Sequence, residues 1–295
     1  MTMDQATPDS LEQDLAGRDT TMLYRRFCAM LALLAVGAGL VSIAGSHFSD
    51  KVFAWEAAAP LNLLLLGGLF LGAVPLMVGG ALETTWERNR IAVIPGAVLV
   101  IALTVATLRN LGDTFLGGGE IVAFGFSAVW VLALIGMSVW ALVGIPGQLA
   151  EPALPLEKIQ SLPGWTVPFL ALQGSGWFGL GLAYFIRPEL GERWIPWDVA
   201  PLDVAALGAV CLTLGTAMLQ ALAENDIQRV KGGVITLVAV AIFALLAIGV
   251  KAGEIEWATW TGPIPAFLLV TLLFTGFIGL FIAAKGRPAP ARKAS

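Results

Sequence analysis

Apolar residues along this chain fall into eight long runs, at about 23–45, 59–82, 90–108, 123–147, 166–186, 201–222, 231–250 and 263–284. Polar stretches separate them. Each run is close to the roughly 20 residues that carry a helix across the hydrocarbon core of a bilayer. None alternates apolar and polar positions as a barrel strand does, so helices are the spanning solution left. The pattern predicts an all-α polytopic membrane protein with eight transmembrane helices. The first run is longer than a signal-peptide core and no small-residue cleavage site follows it, so it is expected to be a retained helix.

Composition agrees with this class. Of 295 residues, 57% are hydrophobic and 13% are charged, about half the charged share of an ordinary soluble domain. The net charge of −4 sits in the N-terminal tail, where Asp4, Asp9, Glu12, Asp14 and Asp19 face Arg18. A tail of that composition is expected to be disordered and points to no acidic-surface partner. No basic patch suggests nucleic acid.

With eight spans, the two tails and the connections after the second, fourth and sixth spans share one side. That side carries Arg25, Arg26, Arg88, Arg90, Lys158, Arg229, Lys231, Lys285 and Arg287, among others; the opposite side carries Lys51, Arg109, Arg187, Arg193 and Lys251. The imbalance predicts a cytoplasmic location for both termini. The outer connections hold Trp55, Trp194, Trp197, Trp257 and Trp260 among acidic residues. An interfacial aromatic belt is the expected role, and Trp55, Glu56, Trp197 and Asp198 are the candidates for an external binding face.

The chain also resembles itself. Asp50-Lys51 and Trp55-Glu56 recur as Glu192-Arg193 and Trp197-Asp198, 142 residues later. Ala59-Pro60-Leu61-Asn62 then meets Ala200-Pro201-Leu202-Asp203 at an offset of 141, and Gly67, Glu83 and Arg88 meet Gly208, Glu224 and Arg229. Such landmarks predict two tandem four-helix units. Each unit has an even number of spans, so the two are expected as parallel repeats related by an axis along the membrane normal. The expected division is an acidic tail over 1–20, a first repeat over 21–147, a cytoplasmic linker over 148–165, a second repeat over 166–284 and a basic tail over 285–295. Pro60 and Pro201 suit the first turn of their helices, and Asn62 and Asp203 can cap or line those ends. Gly67, Gly68, Gly72, Gly208 and Gly215 are expected to bring helix backbones close together.

Candidate chemistry is sparse. Every Lys, Arg, Asp and Glu falls at a run's end or in a connection, so a buried carboxylate for ion-coupled transport is not expected. The most polar point at depth is Gln173-Gly174-Ser175-Gly176-Trp177, where Gln173, Ser175 and Trp177 are candidates for a pathway or binding site, together with Asn62 and Asp203. The first unit has Leu31-Ala32-Leu33-Leu34-Ala35 there. His47 is the only histidine and is expected at the surface; Cys28 and Cys211 are expected as buried apolar thiols. No catalytic set, metal site or cofactor site follows from these residues. Gly117-Gly118-Gly119 lacks the Lys-Ser/Thr of a phosphate loop and is expected as a flexible turn.

The Phe53-to-Gly67, Arg88-to-Val93 and Trp197-to-Gly208 segments, the first and last with Pro-Leu before a Gly-containing helix, resemble a group of bacterial multi-pass membrane proteins without an assigned activity. The resemblance implies a bacterial plasma-membrane location and carries no function. The expectation is a non-enzymatic accessory or scaffold subunit whose partners are the bilayer and a membrane protein or a second copy. The rival is a transporter or channel for a small neutral or lipophilic solute, with its pathway at the repeat interface.

Overall fold

The computed structural model describes residues 19–47, 53–118, 120–150 and 160–285. Eight long helices appear there: α1 (Met22–His47), α2 (Pro60–Leu82), α3 (Trp86–Arg109), α4 (Ile121–Ala150), α5 (Thr166–Ile186), α7 (Pro201–Glu224), α8 (Ile227–Val250) and α9 (Ile264–Lys285). A short α6 (Glu189–Trp194) precedes α7. All eight long helices have the length and apolarity to cross a membrane. No strand occurs among the described residues, only the isolated bridges Asp19–Thr85 and Trp55–Thr114.

The apolar runs locate these helices to within four residues at each end. The largest shortfalls are at α3 and α8, whose first turns read Trp86-Glu87-Arg88-Asn89 and Ile227-Gln228-Arg229-Val230. Charge hides those turns from a hydropathy reading, but their amides are still anchored. Asp226 accepts from the Gln228 amide at 3.1 Å and caps α8, while Glu83 accepts from the amides of Thr84 and Thr85 just before α3. Pro60 and Pro201 occupy the first turns of α2 and α7, as expected.

Helices α2, α3, α7 and α8 form the inner layer. α2 lies along α8 and α3 along α7; α1 covers α2, α5 covers α7, α4 covers α3 and α9 covers α8. In a bilayer, such packing rests on close van der Waals fit, because lipid tails are as apolar as the helix faces. Glycine supplies that fit. A methyl group at Gly72 would stand 2.5 Å from Val240 Cα, and one at Gly215 would stand 2.4 Å from Phe178 N. At Gly67 it would meet Gly39 O at 2.9 Å, and at Gly208 it would meet Gly181 O at 3.1 Å. The expected close approaches at Gly67, Gly68, Gly72, Gly208 and Gly215 are all present.

One end of the bundle gathers the α2–α3 and α7–α8 turns. Thr20 donates its amide to Thr84 O at 2.7 Å, so residues 19 and 20 of the expected tail are paired with this turn. The remainder of that tail, residues 151–159 of the expected linker and residues 286–295 lie outside the described residues. Gln160 accepts from the Ile227 amide and its own amide reaches Asp226, tying the linker's end to the α7–α8 turn. Arg90 of α3 forms a two-pronged ion pair with Glu224 of α7, and Arg229 reaches both Glu224 (3.8 Å) and Asp226 (3.4 Å).

Candidate functional site

The opposite end of the bundle converges on Asp203. This residue is at the third position of α7 and is completely buried. Its Oδ2 accepts from the amide of Ala200, which half-closes a capping box, and from the amide of Ala58 in the α1–α2 connection. Asn62, at the third position of α2, donates its Nδ2 to the same oxygen at 2.9 Å and to Asp198 O. The indole of Trp55 donates to Oδ1 at 2.8 Å. Trp197 in turn donates its indole to Asn62 Oδ1 at 2.7 Å. A carboxylate accepts without donating, and N–H groups supply all of these bonds.

This geometry corrects two expectations. Trp55 and Trp197 do not face outward: both rings are buried, and only Glu56 and Asp198 beside them are exposed. Trp55 packs edge-on to Phe53 and Trp130, with ring centroids 4.5 Å and 5.7 Å away. Trp194, Trp257 and Trp260 are exposed. Charges at helix ends are not uniformly solvated either, since Asp203, Glu87, Glu224 and Asp226 are buried. Their end positions read as exposed in the sequence because the partners that cover them lie far away along the chain.

Around the second candidate segment the helices part. Helices α5 and α9 scarcely touch, and Gln173 Nε2 bridges them by donating to Thr271 Oγ1 at 3.1 Å. Between them lies a cavity of about 750 Å³, backed by α7, α8 and Ile91 of α3. Gln173, Gly176 and Trp177 line it, and Phe169, Phe267 and Phe274 stand exposed at its rim. A second cavity of about 350 Å³ continues towards the Asp203 end, sharing Trp177, Leu180 and Leu268 with the first. Ser175 is exposed on α5 and is not among the lining residues, so the structure separates it from Gln173 and Trp177.

The same elements close up in the N-terminal half. Tyr24 of α1 donates its hydroxyl to Gly144 O of α4, and Phe27 packs edge-on to Trp140 at 6.0 Å. Phe27 is buried, whereas Phe169 is 66% exposed. Cys28 and Cys211 are buried and unpaired and His47 is exposed, as expected. Among the described residues, no group of three or more His, Cys, Asp or Glu side chains could hold a metal ion. Glu254 caps α2 through the Leu61 amide and pairs with Lys251.

No family model, curated protein or solved structure matches the chain. The functional reading therefore rests on these two sites. In the buried one, Asp203 already accepts from Trp55, Ala58, Asn62 and Ala200. The groove between α5 and α9 is open.

Proposed function

We propose that this integral membrane protein takes a lipophilic molecule from the bilayer into the groove between α5 and α9. The observation that carries the proposal is the cavity of about 750 Å³ between two spans that fail to close on each other. Cavities of this size accommodate drug-sized molecules, with mostly apolar linings and a few placed polar groups. This reading develops the rival expectation of a lipophilic solute but moves its place. Apart from Ile91 the volume is lined by residues after the first four helices, while α2 meets α8 along the other contact in close approach at Gly68 and Gly72.

The chain is best understood as a tandem duplication whose copies have diverged. Gly39–Gly67 and Gly181–Gly208 make the same backbone contact in each half, and the α1–α2 pairing mirrors α5–α7. In that alignment Thr166 stands where Tyr24 stands and Gln173 where Leu31 stands. Losing the Tyr24 tether and gaining a polar side chain turned a packed seam into a groove. The basic turns support a cytoplasmic location for both termini, with the first half serving as the scaffold.

Native mass spectrometry of protein released gently from its own membrane tests the reading. A small lipophile should travel with the wild-type protein and be lost from Gly176→Trp, which fills the groove. A methyl group at Gly176 meets nothing within 4 Å, so the larger ring has an open path into the cavity. Wild-type protein that retains its fold and carries no such molecule would count against the proposal.

A further inference from the structure

Resting on the groove reading, we infer that its occupant is an uncharged lipophile bearing a hydroxyl group, and that Gln173 selects it. The amide orientation at Gln173 supplies the reason. Thr271 has one hydroxyl proton, and it goes to Leu268 O at 2.7 Å. Its oxygen is thus left to accept, which turns the Gln173 Nε2 towards it and the Oε1 away. That Oε1 is buried and has no partner among the described residues. A buried acceptor without a donor is costly and rare, so its position beside an open cavity marks where a ligand's donor goes.

The neighbouring oxygens narrow the chemistry further. Thr275 gives its proton to Thr271 O at 2.9 Å, and Thr166 gives its proton to Pro163 O at 2.7 Å. Every threonine hydroxyl lining the cavity is therefore spent as a donor and remains an acceptor. Among the described residues no Asp, Glu, Lys or Arg lines either cavity, so none of them offsets a charged head group. An ester, ether or quinone offers acceptors only and leaves Gln173 Oε1 unsatisfied. A hydroxyl donates to it. The two cavities together follow α5 from Thr166 to Tyr184, about 27 Å of helix. That is nearly the thickness of the hydrocarbon core, roughly 30 Å. An extended chain fits such a groove, with its hydroxyl held near mid-depth.

The test uses full-length protein in nanodiscs and measures retention of radiolabelled dodecanol above empty nanodiscs. Displacement is compared for unlabelled dodecanol and dodecyl methyl ether, which differ in the donor. Wild-type protein should prefer the alcohol by about fivefold, the worth of one neutral hydrogen bond. Gln173→Leu, which installs the residue found at the matching position of the first half, should bind both alike. Equal binding of alcohol and ether to wild-type protein overturns the inference, because a water or the empty cavity then serves Oε1. So does a preference that survives Gln173→Leu. If neither compound is retained above empty nanodiscs, or Gly176→Trp retains both, the groove reading itself fails.

Discussion

The indole of Trp55 hydrogen-bonds the carboxylate of Asp203, 148 residues further along the chain, while the indole of Trp197 bonds Asn62. In the internal alignment Trp55 matches Trp197 and Asn62 matches Asp203, so each half's tryptophan caps the other half's helix. The Asn62–Asp203 bond at the centre joins the two. This crossed arrangement locks the halves together at the end where α2 and α7 begin.

Removing the acceptor should therefore cost more than removing any one donor. Asp203→Ala strands the N–H groups of Trp55 and Asn62 in a buried site, and about 3–5 kcal/mol of stability should be lost. Trp55→Phe removes one bond and should cost about 1–3 kcal/mol. Denaturant titration in mixed micelles measures both. Equal losses would mean that the carboxylate's other bonds contribute nothing.

Coupling should follow the same wiring. A double-mutant cycle between Trp55→Phe and Asp203→Asn should show an interaction energy of about 1–3 kcal/mol. A cycle between Trp260→Phe and Asp203→Asn should show none, since Trp260 is exposed and 75% accessible. Strong coupling in both cycles would point to a global effect of Asp203→Asn and not to the crossed bond.

Glycine substitutions on α5 should separate contact from mere helix content. A methyl group at Gly181 would stand 2.4 Å from Leu212 N and 2.8 Å from Gly208 O, and backbone atoms cannot yield as a side chain can. Gly181→Ala should destabilise the protein by about 1–3 kcal/mol. Gly179→Ala, two residues away and facing open space, should leave stability unchanged or slightly raised.

Much of this fold was legible in the chain because the bilayer imposes a length and a polarity on every span. Helix starts were less legible at Trp86 and Ile227, where charged first turns are anchored by neighbours and not by hydropathy. The candidate site was legible in part. Gln173 stands out as a polar residue at depth, and Asn62 and Asp203 as recurring helix-end residues. The inward turn of Trp55 and Trp197 was not legible, since a tryptophan near a membrane interface has the same local sequence whether it faces lipid or a distant carboxylate. The groove was equally silent. It arises from two helices failing to meet, and no single stretch of sequence encodes that.

The ion pair at the other end should respond unequally to its two partners. Glu224 is almost fully buried and serves both Arg90 and Arg229. Glu224→Met leaves two guanidinium groups without it and should cost about 3–5 kcal/mol. Arg90→Met leaves Glu224 with Arg229 and should cost less, about 1–2 kcal/mol. Similar losses in thermal unfolding of the two variants would show that Arg229, at 3.8 Å, offers Glu224 no support.

Thiol labelling decides whether the two halves enter the membrane in the same direction. Cys28 and Cys211 are buried, so they stay silent towards a membrane-impermeant reagent. Thr84 and Ala223 are exposed at the ends of α2 and α7, and Glu56 and Asp198 are exposed before those helices begin. Parallel repeats require Thr84→Cys and Ala223→Cys to label from one side and Glu56→Cys and Asp198→Cys from the other. The basic residues clustered near Arg88 and Arg229 lead to the expectation that the first side is the cytoplasm. In whole cells, then, Glu56→Cys and Asp198→Cys should react and the other pair should not. A split within either pair would place matching turns on opposite faces. An inverted relation would follow, and the crossed bonds of Trp55 and Trp197 could no longer be read as one contact made twice by a duplicated unit.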